Sequence, residues 1–366
     1  MLDLAVNGYT REQVVKALHA ADGERQVKTR YDLLNRYDIK IGELTAMGGS
    51  ITFNSLAEIK RIANFNIKES KDIDWLNDRI RPVNCLRMPD GGWAEWPLGV
   101  FLVSSPKRTE DTVVRRDVDA YDPSVILSED KFDNRYLIPS GTRYTTAVTK
   151  ILNDAGINKV NIQDHEGAVS VDKEFEIGTP KIKAVNQLLG EINYTSIWVD
   201  PSGYFVAKPY VIPSDREVEY EYRTNQLSVI EHGASEEADL FGVPNKWVVT
   251  CSTPEKSVLV SQYINDLPTS KTSTISRGRT ITDVQQVDDI LDQATLDAYT
   301  KRLAYNASWV YETLTFTTAR MPHHSYLDCL YIDHTALGTA HKYIETSWTM
   351  DLNGKMTHNC RRVIRI

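Results

Sequence analysis

Gly49–Lys68 reads GSITFNSLAEIKRIANFNIK, and Trp93–Pro106 reads WAEWPLGVFLVSSP. In the first stretch Ile51 and Phe53, and then Ala63, Phe65 and Ile67, alternate with polar residues. Successive side chains of a strand point to opposite faces, so this period of two predicts strands with one face on a core. In the second stretch Trp93 and Trp96 stand beside Leu98, Phe101 and Val103. Exposed, the two rings would make a flat platform for a sugar or a partner; the apolar neighbours favour placing at least one of them in the β core. Gly48-Gly49 and Asp90-Gly91-Gly92 punctuate the runs as turns do, so Arg25 to about Asp122 is expected to be an antiparallel β domain.

Outward from this region the pattern changes twice. Ahead of it, Thr10 and Gln13 fit a capping box, and Val14, Val15, Leu18 and Ala21 share a helix face. After it, Ala147, Val148, Ile151, Leu152 and Ala155 follow a helical period, with Gly156 where a carboxy cap belongs. Thr179-Pro180 reads as N-cap and first helical residue before Ile182, Val185, Leu188, Leu189 and Ile192. A hairpin follows, with Trp198 in a strand and a turn at Asp200 to Gly203. From about Gln226 strands return in KWVVTCS, which carries Trp247, and SVLVSQY. One helix is expected near Val287 to Trp309, with Ile290, Leu291, Ala294, Tyr299 and Leu303 in register. Asn353-Gly354 predicts a closing hairpin with a type I′ turn.

Composition bounds the function. With 366 residues, 41% hydrophobic and 25% charged, the chain is a globular protein of more than one domain. A net charge of -8 argues against gripping nucleic acid, which needs basic patches. The start lacks the basic flank and apolar run of a signal peptide, and no apolar run approaches the length of a membrane span, so synthesis in a cytoplasm and no membrane insertion are expected. Cys85, Cys251, Cys329 and Cys360 never form a C-x-x-C pair, and buried free thiols are expected. His323-His324 with Cys329 contains soft metal ligands, but adjacent histidines in a strand face opposite ways and H-x₄-C is not a zinc spacing. His165-Glu166 lacks the second histidine of a metallopeptidase helix, and neither G-x-S-x-G nor a P-loop occurs. Carboxylate pairs such as Glu129-Asp130 and Glu236-Glu237 read as solvated surface. No catalytic, cofactor-binding or metal site is expected.

The two opening stretches, together with SEEADLFGVPNKWVV (Ser235 to Val249), YLDCLYID (Tyr326 to Asp333) and YIETSWTMDLNGKMTHNCRRV (Tyr343 to Val363), resemble the baseplate hub family of long-tailed bacteriophages and prophage tail particles. Trp93, Trp96, Pro97, Leu98, Gly99, Trp247 and Trp348 carry the motif, and the resemblance implies structural roles for them. It implies a mainly β fold with an α+β insert: a helical arm over 1–21, a tube-like antiparallel β domain over 22–142, the α+β module over 143–225, and a second tube-like domain over 226–366. Three such chains would make a ring of six similar domains. That ring would join the sixfold tail tube, or a distal tail protein, to a threefold spike, fibre or tail-tip protein, closing the channel while letting DNA pass unbound. The place implied is the virion tail tip, with no cofactor and no chemical step. A tail-associated cell-wall hydrolase is the alternative, although the resemblance runs to Val363 and leaves little room for a catalytic domain. A glycan-binding adhesin is a further alternative, with the α+β module touching the wall.

Overall fold

The computed structural model describes the chain except residues 22, 70–72, 105, 111, 212–214, 239–240, 252–257, 288–292, 308 and 366. The fold is mainly β and the chain divides into two compact units, Met1–Ala234 with Phe316–Asn359, and Ser235–Thr315 with Cys360–Ile366. The expected boundaries at 142/143 and 225/226 both fall inside the first unit.

In the first unit the strands predicted from alternation are present. Ala46–Asn54 buries Ile51 and Phe53, and Arg61–Lys68 buries Arg61, Ala63, Phe65 and Ile67 while exposing Ile62 and Asn64. The two pair antiparallel, with Ile51 opposite Ala63. Phe65 meets Tyr31 and Phe101 edge to face, at 6.0 and 5.5 Å between ring centres. The sheet continues through Val114–Tyr121, Phe101–Val103, Arg79–Arg87 and Val27–Leu34 to an edge at Lys40–Leu44. On its other side Ala46–Asn54 pairs with Thr339–Asp351, so Trp348 lies opposite Phe53 and Met350 opposite Ile51. Strands from the two ends of the sequence thus share one sheet.

Residues from Leu127 to Ala207 form a core of their own, in which the helices Tyr144–Asp154 and Lys181–Glu191 bury Val148, Ile151, Val185 and Leu188. Leu127, Phe132 and Ile138 belong to this core, so the α+β module begins upstream of Arg143. The predicted faces of these two helices are buried, with Ala155 and Ile192 as their carboxy caps. The first helix, Arg11–Leu18, has the Thr10 and Gln13 capping box but ends before Ala21. The helix Lys181–Glu191 has Pro180 rather than Thr179 as its N-cap, without a side-chain cap, because proline fixes the extended entry one residue later.

The second unit holds the sheet Leu259–Ile264, Lys246–Cys251, Thr282–Val287, whose central strand buries Trp247, Val249 and Cys251. The helix Gln293–Ala307 supplies Leu296 to Val249 and Cys251. It is shorter than expected: Val287 ends a strand and Trp309 begins one, while Ile290 and Leu291 lie outside the described residues. The closing hairpin joins Thr339–Asp351 to Lys355–Arg365, but neither Asn353 nor Gly354 has positive φ. The type I′ expectation is therefore wrong; Leu352 joins the loop, and Asp351 accepts from the Asn353 and Gly354 amides.

Arg61 ties the sheet to the α+β module. Its backbone N–H donates to Asp122 Oδ2 at 2.8 Å, and its buried guanidinium donates to the Val199 carbonyl at 3.1 Å. Gly99 leaves room for it: φ is +141°, and a Cβ there would stand 2.8 Å from Arg61 Cδ and 2.9 Å from Phe101 Cε2. Gly99→Ala should therefore lower unfolding free energy by roughly 1–3 kcal/mol in urea titration; an unchanged midpoint would refute this account of the motif glycine. Lys60 gives a pH signature. Its Nζ is buried, donates to the Ser55 and Ala57 carbonyls, and is pushed by burial down to about 8 from an ordinary 10.5. Between those values the unfolded chain holds more protons than the folded one, so stability gained from this group rises with pH across that window and is absent below it. The stability difference between wild type and Lys60→Met should climb over the same range, and a flat difference would contradict it.

Candidate functional site: a buried carboxylate between two imidazoles

Glu345 is buried in the consecutive run Tyr343–Ile344–Glu345, where the alternation that buries Trp348 and Met350 breaks, and His358 turns inward in step with Met356 on the neighbouring strand. His324 comes from the turn after residue 319. Each Glu345 oxygen faces one imidazole Nδ1: His324 at 2.5 Å and His358 at 2.6 Å. Facing a carboxylate, each Nδ1 carries the proton. The far nitrogens meet hydroxyls, His324 Nε2 at 2.6 Å from Tyr222 and His358 Nε2 at 2.8 Å from Thr318. Phe316 stacks on His358 with ring centres 4.6 Å apart. Asp328 Oδ2 lies 3.7 Å from His324 Nδ1, and its Oδ1 forms an ion pair with the Met1 amine at 2.7 Å.

Burial alone would raise the Glu345 carboxyl, but the charge of His324 and hydrogen bonds from both imidazoles hold it down at about 2. The two rings move in opposite directions. Burial pulls both toward neutrality, yet Glu345 and Asp328 together raise His324, whereas His358 stays lowered. We take the cationic ring to be His324, since it faces two carboxylates. Burial keeps His323 well below its usual value and raises Asp328.

The cluster contains the parts of an acid–base site, but Glu345, His324 and His358 are at most 2% exposed. No substrate reaches them in this conformation. Among the described residues they are also the group able to hold a metal, with donor atoms within 4.8 Å of one another. The sequence missed it. His323 and His324 lie in a turn, not in a strand, so they do not face opposite ways; both are buried. His324 finds its partners in Glu345 and His358, far along the chain, instead of Cys329. The alternation of Met356 with His358 was a legible signal that this histidine points inward.

The motif residues do not assemble into one site. Trp96 is buried and donates from Nε1 to the Asp3 carbonyl at 3.0 Å, with Leu98 buried nearby. Trp93 is half-buried under Lys28, whose Nζ is 4.1 Å from the ring centre. Pro97 ends the short strand Trp93–Pro97 and Gly99 follows it against Arg61. Trp348 stacks on Phe53 at 5.7 Å in another part of the sheet, and Trp247 lies in the second unit. All four cysteines are buried. A groove of about 570 Å³ opens between Lys208, Tyr210, Arg216 and Tyr326. Its Arg216 is already engaged by Glu219 at 2.8 Å.

No family model matches the chain, and no curated protein matches it. Its fold does match solved structures over nearly the whole length. A tail protein from Neisseria meningitidis MC58 is 12% identical, covering 92% of this chain and 97% of that one, with a TM-score of 0.62. The 43 kDa tail protein of prophage MuSo2 from Shewanella oneidensis is 12% identical, covering 92% and 98%, with a TM-score of 0.58. A chain of the Francisella PdpA-VgrG complex is 9% identical at a TM-score of 0.57, with 93% of this chain spanning 53% of that one. The likeness to tail proteins read from the sequence therefore holds at the level of the fold.

Removing one partner of a buried charge pair strands the other, at a cost of about 3–5 kcal/mol. Glu345→Gln, which keeps the shape but cannot accept from both imidazoles, should lose that much in denaturant unfolding. A loss under about 1 kcal/mol would mean that the imidazoles do not depend on the carboxylate.

Proposed function

We propose that this chain is a structural hub at the tip of a phage or phage-like tail. Three copies form a ring of six tube-like β domains, two from each chain. The ring joins the sixfold tail tube or a distal tail protein to a threefold spike, fibre or tail-tip protein, and closes the channel without a chemical step. The observation that carries this reading is the fold: 92% of the chain matches tail proteins over almost their whole lengths. The single sheet built from both ends of the sequence is in keeping with a continuous tube wall.

The sheet edge suits ring closure. Lys40–Leu44 is an edge strand, and around it Tyr37, Ile39, Ile41 and Met47 are 65%, 61%, 52% and 55% exposed. An open edge with apolar side chains is a liability that pairing with a neighbouring chain removes. Obligate rings commonly bury about 2,000 Å² or more, rather apolar. The net charge of -8 fits a lumen that lets DNA pass without holding it. Enclosure of Glu345 and its imidazoles fits a non-enzymatic part. The tail tip is the place this reading assigns, with assembly in the host cytoplasm.

Ile41→Lys places a charge on the edge and leaves the buried core alone. Sedimentation of the wild type should show concentration-dependent association that the variant lacks, with thermal unfolding of the monomer within about 0.5 kcal/mol of wild type. Equal association by both proteins would remove this edge from the ring.

A further inference from the structure

We propose that His324, His358 and Glu345 form a structural zinc site, with Asp328, which accepts from the Ser325 amide and pairs with the Met1 amine, at its margin. Inward-facing donors converge from separate parts of the sequence: two imidazole Nδ1 atoms, both Glu345 oxygens within 2.6 Å of them, and Asp328 Oδ2 at 3.7 Å from His324 Nδ1. Two imidazoles with a carboxylate are a nitrogen and oxygen set that suits zinc; calcium and magnesium prefer oxygen alone.

The surroundings are those of a ligand set. Ligating histidines hold their other ring nitrogen on an oxygen, and here Tyr222 and Thr318 hydroxyls occupy those positions. On binding, the Nδ1 lone pair of each ring turns to the metal and the ring N–H becomes Nε2–H, donating to the hydroxyl oxygen. A ring that was cationic releases one proton to solvent. Zinc bonds of about 2.0–2.2 Å put tetrahedral neighbours roughly 3.3 Å apart. The Nδ1 to Glu345 contacts must then open by under about 1 Å. His323 lies beside the cluster. It is wholly buried, its ring centre is 4.8 Å from that of His324, and neither nitrogen has a hydrogen-bond partner among the described residues. With the ligands this enclosed, the site is structural, not catalytic.

The inference concerns the isolated chain and stands apart from the hub reading. The full chain, expressed with added zinc and purified without chelator, should carry one zinc per chain by elemental analysis and melt lower after chelation. Cobalt in its place should give the visible bands of tetrahedral nitrogen and oxygen ligation, with no thiolate charge-transfer band. Tyr222→Phe keeps every ligand but frees His324 Nε2, and should weaken zinc about 10–100-fold. Zinc content near zero in the loaded wild type would overturn the proposal. So would a thiolate band lost in Cys329→Ser, or zinc affinity unchanged in Tyr222→Phe.

Discussion

Ser347–Asp351 lies antiparallel to Ser50–Asn54, and the rest of the first unit depends on that pairing. Thr52 and Thr349 share a hydrogen bond of 3.0 Å across 297 residues of sequence, and Trp348 stacks on Phe53 beside them. Closing so long a loop costs entropy before any contact forms, although that cost grows only slowly with length. Non-local pairing of this kind also slows folding. What repays it is aromatic burial on one face of the strand pair. Arg61, one strand further on, then ties the sheet to Asp122 and to the α+β module, and Gly99 gives its side chain space.

The same strand that carries Trp348 carries Glu345. A slip of one residue in register would send Trp348 and Met350 to the opposite face and break their alignment with Phe53 and Ile51. It would also pull Glu345 away from His324 and His358. The polar cluster therefore penalises every register but one, where an apolar cluster would tolerate several. Fixed register inside the chain also sets where the sheet's edge at Lys40–Leu44 falls.

Much of this fold was legible because it rests on local periodicity. Ile51, Phe53, Ala63, Phe65 and Ile67 declared their strands, and Val148, Ile151, Val185 and Leu188 their helix faces, since burial follows the period of the element. The module boundary near Leu127 was not legible: Leu127, Phe132 and Ile138 join the module's core through tertiary packing that no local pattern records. The Asn353-Gly354 turn was misread because turn propensity yields to the loop that strand register allows. The His324, Glu345 and His358 cluster was hidden for the same reason the sheet is stable: its members come from segments whose proximity exists only after pairing. Trp93 and Trp96, three positions apart on one strand, fall on opposite faces, so one ring is buried and the other half-covered by Lys28.

The central claim, a ring of three chains around the tail axis, is tested most directly by a reconstruction of the assembled tail tip at a resolution that separates strands. The account predicts three copies, sheets continuing from chain to chain through the edge at Lys40–Leu44, and a channel lined more by Asp and Glu than by Lys and Arg. Six copies, or a chain placed away from the tube axis, would contradict it.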